Sequence, residues 1–458
     1  MATHSKPHMT RRYLHAALAV AVATTLAVPV VAQAGAFQLP TDNAAGWARA
    51  NAGGSLFPDD PTAAYNNPAA MSFFSAPAFQ GTLTEIRPQA QFSGQTLDVD
   101  GYATTGGNPN GFGKFVPFPN IGWVVPVNSW FALGGALAVP YGLESNYNSQ
   151  WQGRYFGTET YLQSVNLSLS AAFKLNDRFS IGVGVLGQRT KAELNTVLDP
   201  NGAAKAIFGL PLTPGLDDEQ LNVNVRRKFS WGFFGGMVFK PTDLDTLGFS
   251  YHSRVDNNLS GSYAVYGGAT GKSLLTLAPL LDPSLPTINP NGASASAQFD
   301  TPAFASVDWL HTFTDRLTMA ATVKWTQWST FKELVLMSEG QQLLSLPEQF
   351  KDSYLFSVGG DYKLNDQWTV RGGIGYDQTP TNIISRDPRV PDGARKLLGF
   401  GLGYKLNQHI SFDLGYEHQF VSNTPVHLTN QPILGGQTMD GYFADSGDVV
   451  SLTGTYHF

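Results

Sequence analysis

The chain has 458 residues, with Lys+Arg 29 against Asp+Glu 35 and a formal net charge of −6. Only 14% of residues are charged and 42% are hydrophobic, with Gly 48, Phe 30, Tyr 17 and Trp 9, a composition that excludes a disordered polymer and points to a glycine- and aromatic-rich β protein. The absence of cysteine excludes disulfides and thiolate chemistry, the negative charge argues against a nucleic-acid partner, and beyond the leader no apolar run approaches the roughly 18 residues of a membrane helix.

Residues 1–34 read as a secretory signal. Lys6, Arg11 and Arg12 form a basic start, Ala16 to Val31 is apolar, and Ala32-Gln33-Ala34 fits a small-x-small cleavage site before Gly35. Removing the three basic residues leaves 26 against 35 acidic ones, a net −9. Residues 35–78 do not alternate and are crowded with Gly, Ala, Asn, Asp and Pro, including Asp59-Asp60-Pro61 and Asn66-Asn67-Pro68. A segment of that length before the first strand reads as a plug, or hatch, folded into a lumen.

From residue 79 to 458 the sequence alternates with period two. Val165, Leu167, Leu169 and Ala171 lie on one face and Asn166, Ser168, Ser170 and Ala172 on the other; Val450, Leu452 and Tyr456 oppose Ser451, Thr453 and Thr455. Strands apolar on one side and small or polar on the other are the signature of a transmembrane barrel. Fourteen antiparallel strands are expected, near 79–94, 117–127, 130–142, 160–175, 179–195, 221–240, 246–261, 297–313, 316–336, 352–364, 368–377, 395–406, 409–421 and 448–458. Short turns alternate with long connections, as fourteen strands with periplasmic termini require. Leu175-Asn176-Asp177-Arg178-Phe179-Ser180 recurs as Leu364-Asn365-Asp366-Gln367-Trp368-Thr369 and loosely as Leu406-Asn407-Gln408-His409-Ile410-Ser411, which is hairpin punctuation. Such a chain belongs in a bacterial outer membrane, in contact with its lipid and lipopolysaccharide, inserted by the barrel assembly machinery and expected as a monomer.

No enzyme signature survives inspection. Gly182-Val183-Gly184-Val185-Leu186-Gly187 matches G-x-G-x-x-G but lies inside a strand, and Gly267 to Ser273 lacks the first glycine of a P-loop. No metal motif or cofactor site is evident. Two long connections are unusually apolar. One carries Ile207, Phe208, Leu210, Leu212 and Leu216; the next carries Leu274, Leu275, Leu277, Leu280, Leu281 and Leu285. Apolar side chains on external loops bury one another or form a landing groove, and the two readings are compatible. Lys174, Asp308, Lys324, Asp361, Lys363, Arg371, Lys405, Asp413 and Glu417 alternate inward, as expected of charges pairing in a wet lumen and against the plug.

Ala36-Phe37-Gln38-Leu39, Asp59-Asp60 and Asn67-Pro68-Ala69 resemble the hatch of the FadL-type long-chain fatty-acid transporters. So do Tyr141-Gly142-Leu143 and a block from Phe350-Lys351-Asp352 through Trp368, Arg371, Gly373, Asp377, Pro380 and Arg395. The resemblance spans the mature chain. It implies gradient-driven uptake of hydrophobic compounds: long-chain fatty acids or, in relatives, aromatic hydrocarbons. It further implies that Phe37 meets an inner pocket, that Arg189 and Lys351 approach the ligand head group, that Asn67-Pro68-Ala69 forms the hatch turn, and that a gating kink in the third strand lies near Gly134-Gly135 or Pro140. Strict alternation from Phe179, however, turns Arg189 outward unless a bulge intervenes. A porin for small polar solutes is the competing reading, opposed by the plug and the leucine-rich loops.

Overall fold

The computed structural model describes residues 35–54, 56–111, 116–281, 286–429 and 437–458. The signal-peptide reading therefore lies outside the described residues, as does Leu285. Nineteen hydrogen-bonded ladder segments join into fourteen barrel strands. The first six are β1 (Ala78–Leu97), β2 (Val116–Pro126), β3 (Phe131–Asn146), β4 (Glu159–Lys174), β5 (Phe179–Leu198) and β6 (Glu219–Phe239). The next four are broken: β7 (Asp245–His252, Asn258–Tyr266), β8 (Ala293–Gln298, Phe304–Thr312), β9 (Leu317–Thr326, Glu333–Ser338) and β10 (Gln341–Pro347, Ser353–Lys363). The barrel ends with β11 (Trp368–Asp377), β12 (Arg395–Lys405), β13 (Ile410–Val421, Thr424–Thr429) and β14 (Thr438–His457). β14 pairs back with β1 from Ala78↔His457 to Leu97↔Thr438, closing the barrel. Among the described residues no helix is long and apolar enough to cross a membrane.

The alternation sorts the side chains. On the outer wall Leu167 and Leu169 are each 61% exposed, while Ser164 and Ser168 face the lumen and are buried. The repeated asparagine turns have one physical cause. Asn176 Oδ1 accepts from the backbone N–H of Arg178 and Phe179, Asn365 from Gln367 and Trp368, and Asn407 from His409 and Ile410, a side-chain substitute for a backbone turn.

The described residues between 35 and 77 pack against the inner wall, and Ala78 already pairs in β1. They contain α1 (Ala44–Ala48), α2 (Ala63–Asn66) and a 3₁₀ turn (Pro68–Phe73). Asn43 caps α1 by accepting from Gly46 N at 2.8 Å. The hatch touches the wall backbone to backbone. A Cβ added at Gly373 would lie 2.1 Å from Arg49 O, at Gly415 2.1 Å from Ala44 O, and at Gly182 2.4 Å from Ala69 N, so only glycine permits this approach. Polar wall residues complete the seal: Thr453 Oγ1 accepts from Ala44 N, and Ser170 and Ser180 donate to Ala64 O and Ala69 O. Of the inward charges, Asp361 pairs with both Arg49 of the hatch and Arg371, which also reaches Asp413 at 2.7 Å. Lys363 and Lys405 are exposed near the short turns.

Candidate functional site

The two leucine-rich connections are not irregular loops. They fold as α3 (Pro200–Phe208) and α4 (Ala269–Leu281). Asp199 caps α3 by accepting from Gly202 N, and Gly209 ends it with φ 64°. The helices face one another across an open cleft of about 500 Å³ lined by Ile207, Phe208, Leu210, Leu274, Leu275 and Leu277, among others. Leu210 and Leu277 are therefore wall residues of the cleft. Leu212 is half-buried outside it, and Leu280 is 75% exposed and points away. The side chain of Leu281 lies outside the described residues. Of the glycines that resembled a P-loop, Gly267 and Gly268 precede α4 and Gly271 lies in its first turn, but the Glu219 carboxylate lies where a phosphate would sit: a Cβ on Gly267 would come 2.2 Å from Glu219 Oε2. That excludes an anion site there.

Further in lies a pocket of about 560 Å³, walled by Phe37, Leu143, Leu162, Val225, Leu259, Phe299, Phe331 and Leu346 among others. Phe37 is 2% exposed. Its ring meets Trp328 edge-on at 4.6 Å and lies 5.3, 5.7 and 6.4 Å from Phe299, Phe331 and Phe350. The sequence showed no partner for this ring because those aromatics come from the segments between the two parts of β8, of β9 and of β10, more than 250 residues away.

A strap, residues 35–39, carries Phe37 there. Gly35 N donates to Asp377 Oδ2 at 3.0 Å and Ala36 N to Asp392 Oδ2 at 3.1 Å, and Arg395 pairs with both carboxylates. Leu39 N donates to Pro140 O at 2.8 Å and Gly142 N to Phe37 O at 2.9 Å. The strap thus adds as a short strand to β3. It can do so because β2 pairs with β3 only from Ile121↔Leu137 to Pro126↔Ala132, leaving the upper part of β3 without that neighbour. The register of β3 against β4 also shifts between Ala138 and Tyr141, a bulge at Val139-Pro140 where proline has no N–H for the ladder.

The kink therefore sits at Pro140, not at Gly134-Gly135. Those two glycines pair regularly with Ser170 and Leu169, and Gly134 instead makes room for the hatch, since a Cβ there would lie 2.3 Å from Met71 Sδ. Asn67 and Ala69 are buried. Asn67 is extended, as a residue before proline should be; its Oδ1 accepts from Ala69 N while Nδ2 donates to Phe249 O and Met237 O. Asn67-Pro68-Ala69 is thus a bracket joining hatch to wall.

Neither basic residue named from the resemblance lines the pocket. Arg189 is exposed on the outer wall; the bulge occurs in β6, opposite it, and leaves the parity of β5 unchanged. Lys351 is exposed, one position beyond the buried Phe350. The polar end of the pocket is instead Glu348, Asp387 and Arg389. Arg389 Nη1 donates to Asp387 Oδ2 at 2.8 Å, while Arg389 Nε and Glu348 Oε2 are buried without a hydrogen-bond partner among the described residues. Burial first, and then the Asp387 charge, push the Glu348 carboxyl well above its ordinary value of 4.5. The pocket thus offers an apolar lining beside an unpartnered arginine N–H and a carboxyl whose burial favours its protonated form.

Residues 25–458 match the family model described as outer membrane protein transport protein (OMPP1/FadL/TodX). The chain belongs to this FadL/TodX family. A 47 kDa outer membrane protein of Pasteurella multocida is 30% identical over 91% of this chain and 92% of its own length. A long-chain fatty acid transport protein of Salmonella typhi is 28% identical over 89% and 91%. A Pseudomonas aeruginosa FadL homologue of known crystal structure superimposes with TM-score 0.88 at 40% identity, covering 92% of this chain and all of that one. The Ralstonia pickettii toluene transporter TbuX, at TM-score 0.65 and 18% identity over 91% and 98%, shares the fold. The protein is thus an outer-membrane barrel of a family that transports hydrophobic compounds.

Proposed function

We propose that this FadL/TodX-family member takes up long-chain fatty acids. The observation that carries the reading is the inner pocket itself. It is apolar along most of its lining, with Glu348, Asp387 and Arg389 as a polar cluster, a pattern suited to an amphiphile. The unpartnered Arg389 Nε–H is a donor for a carboxylate, and the burial that favours the protonated form of Glu348 lessens its repulsion of one. A ligand enters from the α3–α4 cleft, settles against Phe37, and leaves when the strap shifts from β3 at Pro140. Each buried CH₂ contributes about 0.8 kcal/mol, so a long chain would bind too tightly to leave a rigid pocket. A wall made of a detachable strap lets the pocket change shape and release it. No nucleotide or ion coupling is invoked; flow follows the gradient. The similarity to proteins named long-chain fatty acid transporters supports this reading. The aromatic lining around Phe37 favours the second reading, aromatic hydrocarbons. Displacement of a fluorescent fatty acid from purified protein by palmitate, palmityl alcohol and toluene decides. Palmitate should compete at least tenfold better than the alcohol, and Arg389→Ala should erase that difference. Toluene competing as well as palmitate would overturn the proposal.

A further inference from the structure

The outward position of Arg189 has a context of its own. On the outer wall the rows of β4, β5 and β6 can be followed by register. Leu167, Gly187 and Trp231 form one row, and Trp231 is 71% exposed beside Phe229 at 4.8 Å. One pleat further out Arg189 lies opposite Val165, and in the next row Lys191 stands directly across from Arg226. Between these rows β6 bulges, and the extra residue leaves Arg227 and Lys228 both exposed. Four basic side chains, Arg189, Lys191, Arg226 and Lys228, thus crown the apolar band on adjacent strands of a chain that is acidic overall, while Arg227 lies opposite the lumen-facing Thr190.

Their own neighbours do not neutralise them. Glu193, which pairs with Lys191, is the one acidic side chain facing outward on this stretch of β5 and β6 among the described residues. Arg227 Nε donates to Phe229 O, and Arg189, Arg226 and Lys228 have no acidic partner among the described residues. Like charges directly opposed across a ladder are unfavourable, and a bulge that displays one more cation adds to that cost. The patch lies on the side of the long connections, where the acyl chains of the outer leaflet give way to head groups, just beyond an aromatic pair of the kind that marks a membrane interface.

We propose that this β5–β6 patch binds the phosphorylated head group of an outer-leaflet glycolipid, lipid A, with acyl chains against Phe229 and Trp231 and phosphates between Arg189, Arg226 and Lys228. Two arginines supply forked donors for phosphate oxygens, and Lys228 supplies a point charge. The site is independent of the ligand carried through the lumen.

The test uses the full mature barrel purified in non-ionic detergent, with bis-phosphorylated lipid A as the probe in native mass spectrometry titrations. Loss of a basic side chain near an anionic surface weakens binding about fivefold, so Arg189→Gln/Arg226→Gln/Lys228→Gln should bind roughly a hundredfold more weakly. Lys363→Gln/Lys405→Gln, altered at the opposite end of the barrel, should bind as the wild type does. Both variants are checked for heat-modifiable migration; should the triple variant fail to assemble, Arg226→Gln alone, with an expected loss of about fivefold, takes its place. Dephosphorylated lipid A should bind at least tenfold more weakly than the phosphorylated form to the wild type. Equal binding of the two lipids, no loss in the altered patch, displacement by millimolar pyrophosphate, or equal affinity for phosphatidylglycerol would each overturn the proposal.

Discussion

Replacing Phe37 by alanine tests whether the strap is held by its ring. The ring is almost wholly buried among Trp328, Phe299, Phe331 and Phe350. Truncating a buried phenylalanine costs about 3–5 kcal/mol, and the lower end is taken here for a site that can partly collapse. The other anchors include the burial of Leu39, two backbone hydrogen bonds to β3, two to carboxylates and one from Thr326 Oγ1 to Gln38 Oε1, each hydrogen bond contributing about 1 kcal/mol or somewhat more. Losing roughly 3 kcal/mol should raise the open population of the strap more than a hundredfold. Amide hydrogen exchange reads this directly. The N–H of Leu39 is held by Pro140 O and that of Gly142 by Phe37 O, and since β2 does not pair with this part of β3, both report on the strap. Both should lose more than a hundredfold of protection, while Gly135, within the regular ladder, should not change. Fatty-acid affinity should fall about tenfold, because one wall of the pocket is lost. Exchange at Leu39 and Gly142 within threefold of the wild type would refute the reasoning.

Leu277→Ser removes a wall of the outer cleft and should slow uptake severalfold at low ligand concentration, whereas Leu280→Ser, on the exposed side of α4, should leave it unchanged; radiolabelled uptake at graded concentrations distinguishes the two. Asn67→Ala deletes a helix cap and two hydrogen bonds to the wall, with an expected cost of about 1–2 kcal/mol in barrel stability, read as a lower heat-modification temperature; Pro68→Ala should alter uptake rate more than ligand affinity. Because the folded Glu348 carboxyl titrates well above the 4.5 of the unfolded chain, the native state holds its proton longer. Stability therefore falls as pH rises from about 4.5 toward the folded value, and carboxylate affinity falls as the acid ionises. Glu348→Gln should flatten both profiles, measured by denaturation and by palmitate titration across pH.

The barrel was legible because its determinants are local. A period of two and an asparagine or threonine at each short turn depend on neighbours in sequence, so strand count and most strand positions could be read directly. The hatch was visible as a stretch without alternation. The inner site was not, because its walls are assembled across the barrel. Asp387 and Arg389 sit in a connection whose sequence, Ser385 to Pro391, has no periodicity to mark it. Arg189 misleads for a related reason: a bulge was needed to turn it inward, and the bulge fell in the neighbouring strand. Pro140 carried a readable signal, the missing N–H, whereas Gly134-Gly135 suggested flexibility where the glycines serve close approach. The α3 and α4 segments show apolar spacing suited to a helix, but their position between strands favoured reading them as loops.

The glycines facing the hatch bear on the electrical behaviour of the outer membrane. Where Gly373, Gly415 and Gly182 let backbone lie on backbone, the contact leaves no room for a layer of water, and Thr453, Ser170 and Ser180 bond three further backbone groups of the plug. A barrel of this girth is usually a pore. This one should be nearly silent in a planar bilayer, with ion conductance far below that of a porin, even while apolar ligand passes. A single bulky residue at Gly373 or Gly415 would prise the liner from the wall and turn a conduit for oily molecules into a leak for salts.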